Sequence, residues 1–327
     1  MASPAHVLIV SPALADANNG NWQTAWRWSR MLRPLFRTTI ASQWNGHNAD
    51  VLLALHARKS APSALAWAQA RGSDQLAVVL TGTDLYRDIQ TDRSAQQVLR
   101  QAGQLVLLQE RAPDALPEAL RSKARVIFQS APRRSALFKT ARHLRALMVG
   151  HLRDEKDPLT YLRAAARLGQ RPDIFLDHIG DVLDPSLGQA VQQAARDFPQ
   201  YRWLGGLAHG LTRSRIQRAH VLVHPSKMEG GAHVILEAVQ SGTPVLASRI
   251  DGNVGMLGSH YAGYFSLGDD AALAALLRRC RDDGDFLPLL RQHCEARAPL
   301  FEPAREQALL RELVAGLAAV SRPGRII

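Results

Sequence analysis

The chain has 327 residues, 46% of them hydrophobic and 6% aromatic. That length accommodates two domains of ordinary size, and no apolar run reaches the ~18 residues that a membrane-spanning helix needs. Forty Lys and Arg against 29 Asp and Glu give a net charge of +11. No basic run with interleaved aromatics accompanies it, so the excess reads as an arginine-rich solvated surface, with attraction of small anions as the functional alternative and no nucleic-acid partner expected. Cys280 and Cys294 alone make no disulfide framework, and a cytoplasmic location and no membrane association are expected.

The apolar segment His6–Ser11 lacks a basic leader and reads as a first strand, not a signal peptide. Further strands are predicted at Val51–His56, Leu76–Thr81, Gln104–Leu108 and Arg125–Phe128, with helices at Asn21–Leu35, Ser60–Arg71 and Arg93–Gln101. Gln129–His143, with Pro132, three arginines and Lys139, reads as a linker. A second alternating series follows, with strands at Leu144–Val149, Ile174–Ile179, Tyr201–Leu204, Val221–His224 and Pro244–Ala247. Helices are predicted between them at Pro158–Leu168, Leu187–Phe198, Leu211–Ala219 and Gly231–Ser241. Short apolar runs alternating with helical periods imply parallel βαβ units, hence two doubly wound domains with ligands at the carboxyl ends of the strands. Phe301-Glu302-Pro303 opens a last amphipathic helix through Val320.

The strongest chemical signal is Glu229-Gly230-Gly231-Ala232-His233-Val234-Ile235-Leu236-Glu237, followed by Ala-Val-Gln-Ser-Gly242-Thr243-Pro244-Val245. A glycine pair at a helix start lets backbone N–H groups approach a phosphate, and the helix N-terminus carries partial positive charge. Two carboxylates frame it, and a carboxylate accepts paired hydroxyls well. This combination resembles the nucleotide-sugar motif of retaining GT-B glycosyltransferases of the glycosyltransferase 4 type.

The resemblance implies an α/β fold of two Rossmann-like doubly wound domains facing across a cleft. Their expected extents are an acceptor-side domain over 1–140, a UDP-sugar domain over 141–300, and a C-terminal helix over 301–327 that crosses back to the first domain. Glu237 is then expected on the ribose hydroxyls and Glu229 by the transferred sugar. Gly150-His151-Leu152-Arg153-Asp154-Glu155-Lys156-Asp157 resembles the family's Gly-Arg…Glu-Lys-Gly phosphate loop. Lys156 matches the lysine on the diphosphate, His151 replaces the family arginine, Asp157 replaces the last glycine, and Arg153 is the candidate for the missing charge. The Ser248–Gly255 turn, with Asn253, lines the donor cleft in the family, and Gly180-Asp181 with Leu204–Leu207 falls where base and ribose bind. Asn18, Gly20 and Asn21, after the first strand, are also expected on the donor, although an Asn at a helix start is in itself a good N-cap. GT-B donors are handled without a metal, and no cluster with metal-ligand spacing stands out, so neither metal nor cofactor is expected.

On the acceptor side, Leu80-Thr81-Gly82-Thr83-Asp84-Leu85-Tyr86-Arg87-Asp88 carries Thr81 where many relatives have a histidine. A hydroxyl acceptor benefits from a base, whereas an acceptor that is already an anion does not. His56, Arg58 and Lys59 gather basic groups at another strand end, ahead of a Ser-capped helix, and form a candidate anion pocket. With Ala54–Arg58, Leu80–Ile89, Gly150–Asp157, Arg202–Gly205, Met228–Ala232 and Gly263–Phe265, the chain is similar over nearly its whole length to the selenosugar synthases of selenoneine biosynthesis. What that resemblance implies is transfer of N-acetylglucosamine, or a related hexose, from its UDP-sugar to selenophosphate, giving a 1-seleno-sugar, UDP and phosphate. Asn19, His56, Arg58, Lys59, Thr81 and Thr83 are expected to bind selenophosphate. Lys156, Glu229, Asp84 and His56 are the candidates for catalysis, the last two as water-positioning groups for loss of phosphate. Relatives of this type carry Asn where this chain has His233. The alternatives are an ordinary O-glycosyltransferase with the same donor site, and a UDP-sugar epimerase, which needs no acceptor.

Overall fold

The computed structural model describes residues 3–13 and 20–320. The chain divides into two compact units, Met1–Gln129 with Pro303–Ile327, and Ser130–Glu302. In the first, the elements run β1 (His6–Val10), α1 (Gly20–Leu32), β2 (Arg37–Ala41), β3 (Val51–Leu55), α2 (Ala61–Arg71), β4 (Leu76–Leu80), α3 (Ile89–Thr91), α4 (Arg93–Gln101), β5 (Gln104–Leu107) and β6 (Ala124–Val126). The six strands form one parallel sheet in the order β2-β1-β3-β4-β5-β6. β3 and β4 read Val-Leu-Leu-Ala-Leu and Leu-Ala-Val-Val-Leu and are buried throughout, as a parallel strand covered on both faces requires.

Three segments depart from the sequence reading. β2 lies at the sheet edge with a half-exposed Arg-Thr-Thr-Ile-Ala, so it carries no apolar run to betray it. Asp84–Asp88 coils as a π-helix directly after β4. Ser60 stands at the N-cap of α2 but does not cap it; its hydroxyl donates instead to Leu55 O at 2.6 Å.

The second unit runs β7 (Leu144–Val149), α5 (Pro158–Arg167), β8 (Ile174–Ile179), α6 (Pro185–Asp197), β9 (Tyr201–Trp203), α7 (His209–Arg218), β10 (Val221–His224), α8 (His233–Val239), β11 (Val245–Ser248), α9 (Asp251–Leu257), β12 (Tyr264–Phe265), α10 (Asp270–Asp282) and α11 (Phe286–Arg297). Its sheet is ordered β12-β11-β10-β7-β8-β9. β12, a two-residue edge strand, and the helices α10 and α11 go beyond the elements the sequence reading names. The segment before β7, expected as a linker, is held to this unit: Arg134 N donates to Gln240 O at 2.8 Å and the Arg213 guanidinium to Pro132 O at 3.0 Å.

The last helix, α12 (Pro303–Val320), belongs to the first unit. Its Leu310, Leu313, Val314 and Leu317 share a core with Trp28 of α1 and with alternate residues of β1 and β3. Glu306, fully buried, is satisfied by the Trp28 indole N–H at 2.6 Å and the Arg27 guanidinium at 3.1 Å. Among the described residues no helix is long and apolar enough to cross a membrane.

Candidate active site

Each sheet changes direction once. In the second unit β8 and β9 follow β7 to one side, then the chain returns to lay β10, β11 and β12 on the other. The switch point lies between β7 and β10, and their carboxyl ends are where an open α/β sheet binds ligands. The loop after β7 carries Gly150 to Asp157, and the loop after β10 carries Pro225 to Ala232.

Hydrogen bonds and ion pairs fasten these two loops. Lys227 N donates to Glu155 O at 2.9 Å, and the Lys227 ammonium meets Asp154 at 2.5 Å. Lys156 reaches Glu229 Oε1 at 2.5 Å, and His224, the last residue of β10, lies 3.1 Å from the same oxygen. Burial acts to raise the Glu229 pKa, but Lys156 and His224 hold it well below the usual carboxylate range. Burial pushes His224 down, against the pull of Glu229. The result is an anionic Glu229 gripping a lysine at the switch point.

The backbone under this pair is close-packed. A Cβ on Gly180 would sit 1.9 Å from Gly150 O, and one on Gly252 would sit 2.1 Å from Glu229 O, so glycine is required at both. Buried His178 of β8 supports the first loop, with Nε2 3.2 Å from Gly150 O and Nδ1 3.0 Å from the Tyr201 hydroxyl. Gly150 itself packs against the Lys156 stem. Asp157 takes a left-handed φ of 45°, a conformation that favours the glycine expected there from the resemblance. Aspartate tolerates it by capping α5, with Thr160 N at 3.3 Å and the Thr160 hydroxyl at 2.6 Å.

Gly230 is buried and Gly231 half-buried ahead of α8, which begins two residues later than the sequence predicts. Ala232, also buried, stands at its N-cap without a side-chain cap. Glu237 lies one turn into α8. His209 Nε2 at 2.6 Å, His233 Nδ1 at 3.3 Å and the Arg213 guanidinium at 3.7 Å all converge on its Oε1. Burial acts to raise its pKa, but His209, His233 and Arg213 draw it down to about 2.

Two expected donor residues sit differently. Asn253 is fully buried and donates to Ser248 O and Oγ at 2.9 and 3.1 Å, while the Ser248 hydroxyl donates to Ser226 O. Its Nδ2 therefore braces the loop after β10 through Ser248, while its buried Oδ1 has no hydrogen-bond partner among the described residues. Arg153 is half-exposed, 4.0 Å from Glu155, and gives Lys156 no demonstrated support. His151 accepts from Asp181 N at 3.1 Å.

In the first unit the switch point lies between β1 and β3. Asn18 and Asn19 lie outside the described residues; Gly20 and Asn21 open α1. His56, at the carboxyl end of β3, is buried with a left-handed φ of 70°. Strain of that kind costs of order 1–3 kcal/mol and gathers at functional sites. Its Nε2 is 3.1 Å from the Thr83 hydroxyl, and burial lowers its pKa against the pull of Asp84. Asp84 has no exposure: Ala57 N, Thr81 N and Gly82 N donate to it at 2.9, 2.9 and 2.8 Å. It ties the ends of β3 and β4 together, with both carboxylate oxygens already engaged by backbone amides. Arg58 is shared between Asp88 and Asp92, each at 3.4 Å, whereas exposed Lys59 has no ion-pair partner among the described residues. Thr81 and Thr83 are half-buried beside them.

Sequence reasoning missed His178, His209, Arg213 and His224 as parts of the site. Only His224 left a signal, a polar residue closing a buried strand five positions before Glu229. Among the described residues no group of three or more His, Cys, Asp or Glu could hold a metal ion.

The model of the family described as glycosyl transferases group 1 matches residues 133–299, just over half of the chain. Over 112 residues the chain is 32% identical to glycosyltransferase 1 domain-containing protein 1 of Xenopus tropicalis, a match that covers 34% of this chain and 32% of that protein. The chain thus spans about a third of the length of this curated relative. Sucrose-phosphate synthase (tll1590) from Thermosynechococcus elongatus superposes with a TM-score of 0.79 at 16% identity, over 97% of this chain and 100% of that one. Anabaena Alr3699/HepE in complex with UDP and glucose gives 0.74 at 14% identity, over 97% and 100%. At such identities the likeness is one of fold, the GT-B fold of two Rossmann-like units.

Proposed function

Since this chain belongs to the glycosyl transferases group 1 family, we propose that it is a UDP-sugar-dependent glycosyltransferase whose acceptor is selenophosphate. The observation that carries the donor half is the Lys156–Glu229 pair at the second switch point. A lysine there neutralises a diphosphate, and Glu229 holds it in place. The first amides of α8, which follow the Gly230-Gly231 pair, lack intrahelical acceptors and are suited to an anion. Glu237, kept anionic by contacts from His209, His233 and Arg213, is suited to ribose hydroxyls. That Alr3699/HepE was solved with UDP and with UDP-glucose supports a UDP-sugar as donor.

The acceptor half rests on Thr81 in place of a base, on the partnerless cation Lys59 and on the close sequence resemblance. Selenium is a soft nucleophile, and selenophosphate arrives already anionic. The C1–Se bond forms as the C1–O bond to UDP breaks. Water then cleaves Se–P and releases phosphate, leaving a 1-seleno-sugar. Catalysis in the first step is orientation and stabilisation of departing UDP.

A hydroxyl acceptor is the second reading, and the His56–Thr83 contact favours it as a proton path. Mass spectrometry of the protein with UDP-N-acetylglucosamine and freshly generated selenophosphate separates the two. A seleno-sugar, with UDP release dependent on selenophosphate, is the expected result. UDP release only with a sugar acceptor overturns the selenium reading and keeps the donor site. Turnover of UDP-sugar alone to an epimer overturns transfer altogether.

A further inference from the structure

At the opposite, amino end of β7 and β10 the second unit holds a separate cavity of about 240 Å³. It is walled by residues 137–140 ahead of β7, by Arg145 within β7, by His220 ahead of β10 and by the last turn of α7. We infer that this cavity is a second anion site, one that takes a phosphate monoester with an apolar or aromatic body, separate from the donor site.

Arg145 in the wall is matched by Asp177, but the rest of its positive charge is not, among the described residues. Arg215 and Arg218, three apart and therefore on one face of α7, are exposed and have no ion-pair partner among the described residues. Other arginines of this unit behave differently: Arg163 and Arg167 share Asp270, and Arg171 takes both Asp173 and Asp282. A helix dipole favours cations in the last turn of α7. It does not explain why they border a cavity with Lys139, whose ammonium among the described residues meets only the Thr243 hydroxyl, at 3.2 Å. Asp177, a carboxylate in the lining, is already taken by Arg145 at 3.1 Å and Arg202 at 2.8 Å.

Burial, with Arg291 adding to it, pushes Lys139 down to about 8. Burial also lowers His143 and His220, and nearby cations lower them further. His220 is fixed between Arg145 N and Thr140 O, at 3.0 and 2.9 Å, so it shapes the wall without binding a ligand. At the rim stand Leu137 and Phe138, the latter 99% exposed. A ring held over Phe138, with its phosphate between Arg215 and Arg218, satisfies both halves of the wall. The concave shape favours a small molecule over an extended polyanion.

Phenyl phosphate is the probe, titrated calorimetrically at low salt into the full chain and three variants. The expected result is one phenyl phosphate site that survives Lys156→Ala, which removes the donor lysine. Arg215→Gln with Arg218→Gln should weaken it at least ~30-fold, given charge-assisted contacts from both guanidiniums. Phe138→Ser should weaken phenyl phosphate while leaving inorganic phosphate unchanged. Both arginines are exposed, so the double variant should melt within a few degrees of the parent, and a circular-dichroism melt checks that. Undiminished binding in the double variant overturns the inference, as does binding lost with Lys156→Ala alone. Sulfate binding as tightly as phenyl phosphate would reduce the site to general anion attraction. Binding to phosphatidylglycerol vesicles with no response to phenyl phosphate would replace it with a membrane surface.

Discussion

The two units solve one topological problem with different chemistry. Both have a parallel sheet with a single switch point, and both gather polar residues at its carboxyl ends. At the second unit's switch point the charges are paired with each other: Lys156 and Glu229 are partly exposed, at 17% and 11%, and meet across two loops. At the first unit's, the central carboxylate is immobile: Asp84 is wholly buried and spent on three backbone amides. A carboxylate facing a lysine can exchange that partner for a phosphate. One facing backbone N–H groups cannot leave without orphaning them. The second site is therefore built for a charged ligand and the first for shape, with His56, Thr83 and Lys59 presented on a frame that Asp84 fixes.

The sharpest way to break this contrast is Lys156→Ala. If the second switch point is electrostatic, turnover should fall about 10²–10³-fold, the usual cost of removing one preorganised charge from a leaving group. The thermal midpoint should move by only a few degrees, because the ammonium is not a core group. Unchanged turnover with UDP-N-acetylglucosamine would mean that the diphosphate sits elsewhere.

Asp84→Ala tests the other half, and here stability is the readout. Three orphaned amides predict a loss of about 3 kcal/mol or more in urea unfolding, with activity following the folded fraction. A variant that stays as stable as the parent but loses turnover would return Asp84 to the catalytic role.

These two carboxylates also mark how far the sequence was legible. Glu229 and Glu237 announce themselves through a glycine pair and fixed spacing, because a phosphate site needs close backbone approach at a helix start. The strands β3, β4, β7, β8 and β10 were legible because two-sided burial demands continuous apolar runs. Edge strand β2 escaped because its half-exposed Arg-Thr-Thr-Ile-Ala carries no apolar run, and β12 because it is only two residues long. Asp84 looked chemical only because Gly-Thr-Asp follows a strand, and nothing local says that its acceptors meet Ala57 N on another strand's loop. His209 and Arg213 reach Glu237 from α7, more than twenty residues away, and such convergence is a property of packing. Asp157 carries its own message in reverse: its left-handed backbone shows why glycine belongs there.

His178 offers a smaller and more selective test of the donor frame. Burial pushes its pKa down to about 4, against the hydrogen bond to Gly150 O. The unfolded chain takes up the proton near 6.5 and the folded one only near 4. Stability from this group is thus complete above about pH 6.5 and is lost as pH falls through that interval, by up to about 3 kcal/mol. His178→Phe should be less stable at pH 7, where the bonds to Gly150 O and Tyr201 are lost, yet flatter in its urea midpoint between pH 7 and pH 4.5. Parallel pH profiles for parent and variant would show that His178 is not the neutral, buried support of the Lys156 loop.

The finest distinction is between Arg58 and Lys59, adjacent cations on the loop after β3. Arg58 already serves Asp88 and Asp92, so a ligand would compete with two carboxylates for it, while Lys59 has no such claim on it. If the first unit presents an anion-binding cation on a fixed frame, Lys59→Gln should raise the KM for selenophosphate about 5- to 10-fold with little change in kcat, the signature of lost uniform binding. Arg58→Gln should change it less, and its exposed ion pairs should cost under about 1 kcal/mol in stability. Steady-state kinetics at saturating UDP-sugar reads both. Were Arg58 to give the larger KM effect, its pairs with Asp88 and Asp92 would have to open on binding, and the first switch point would then exchange partners much as Lys156 and Glu229 do.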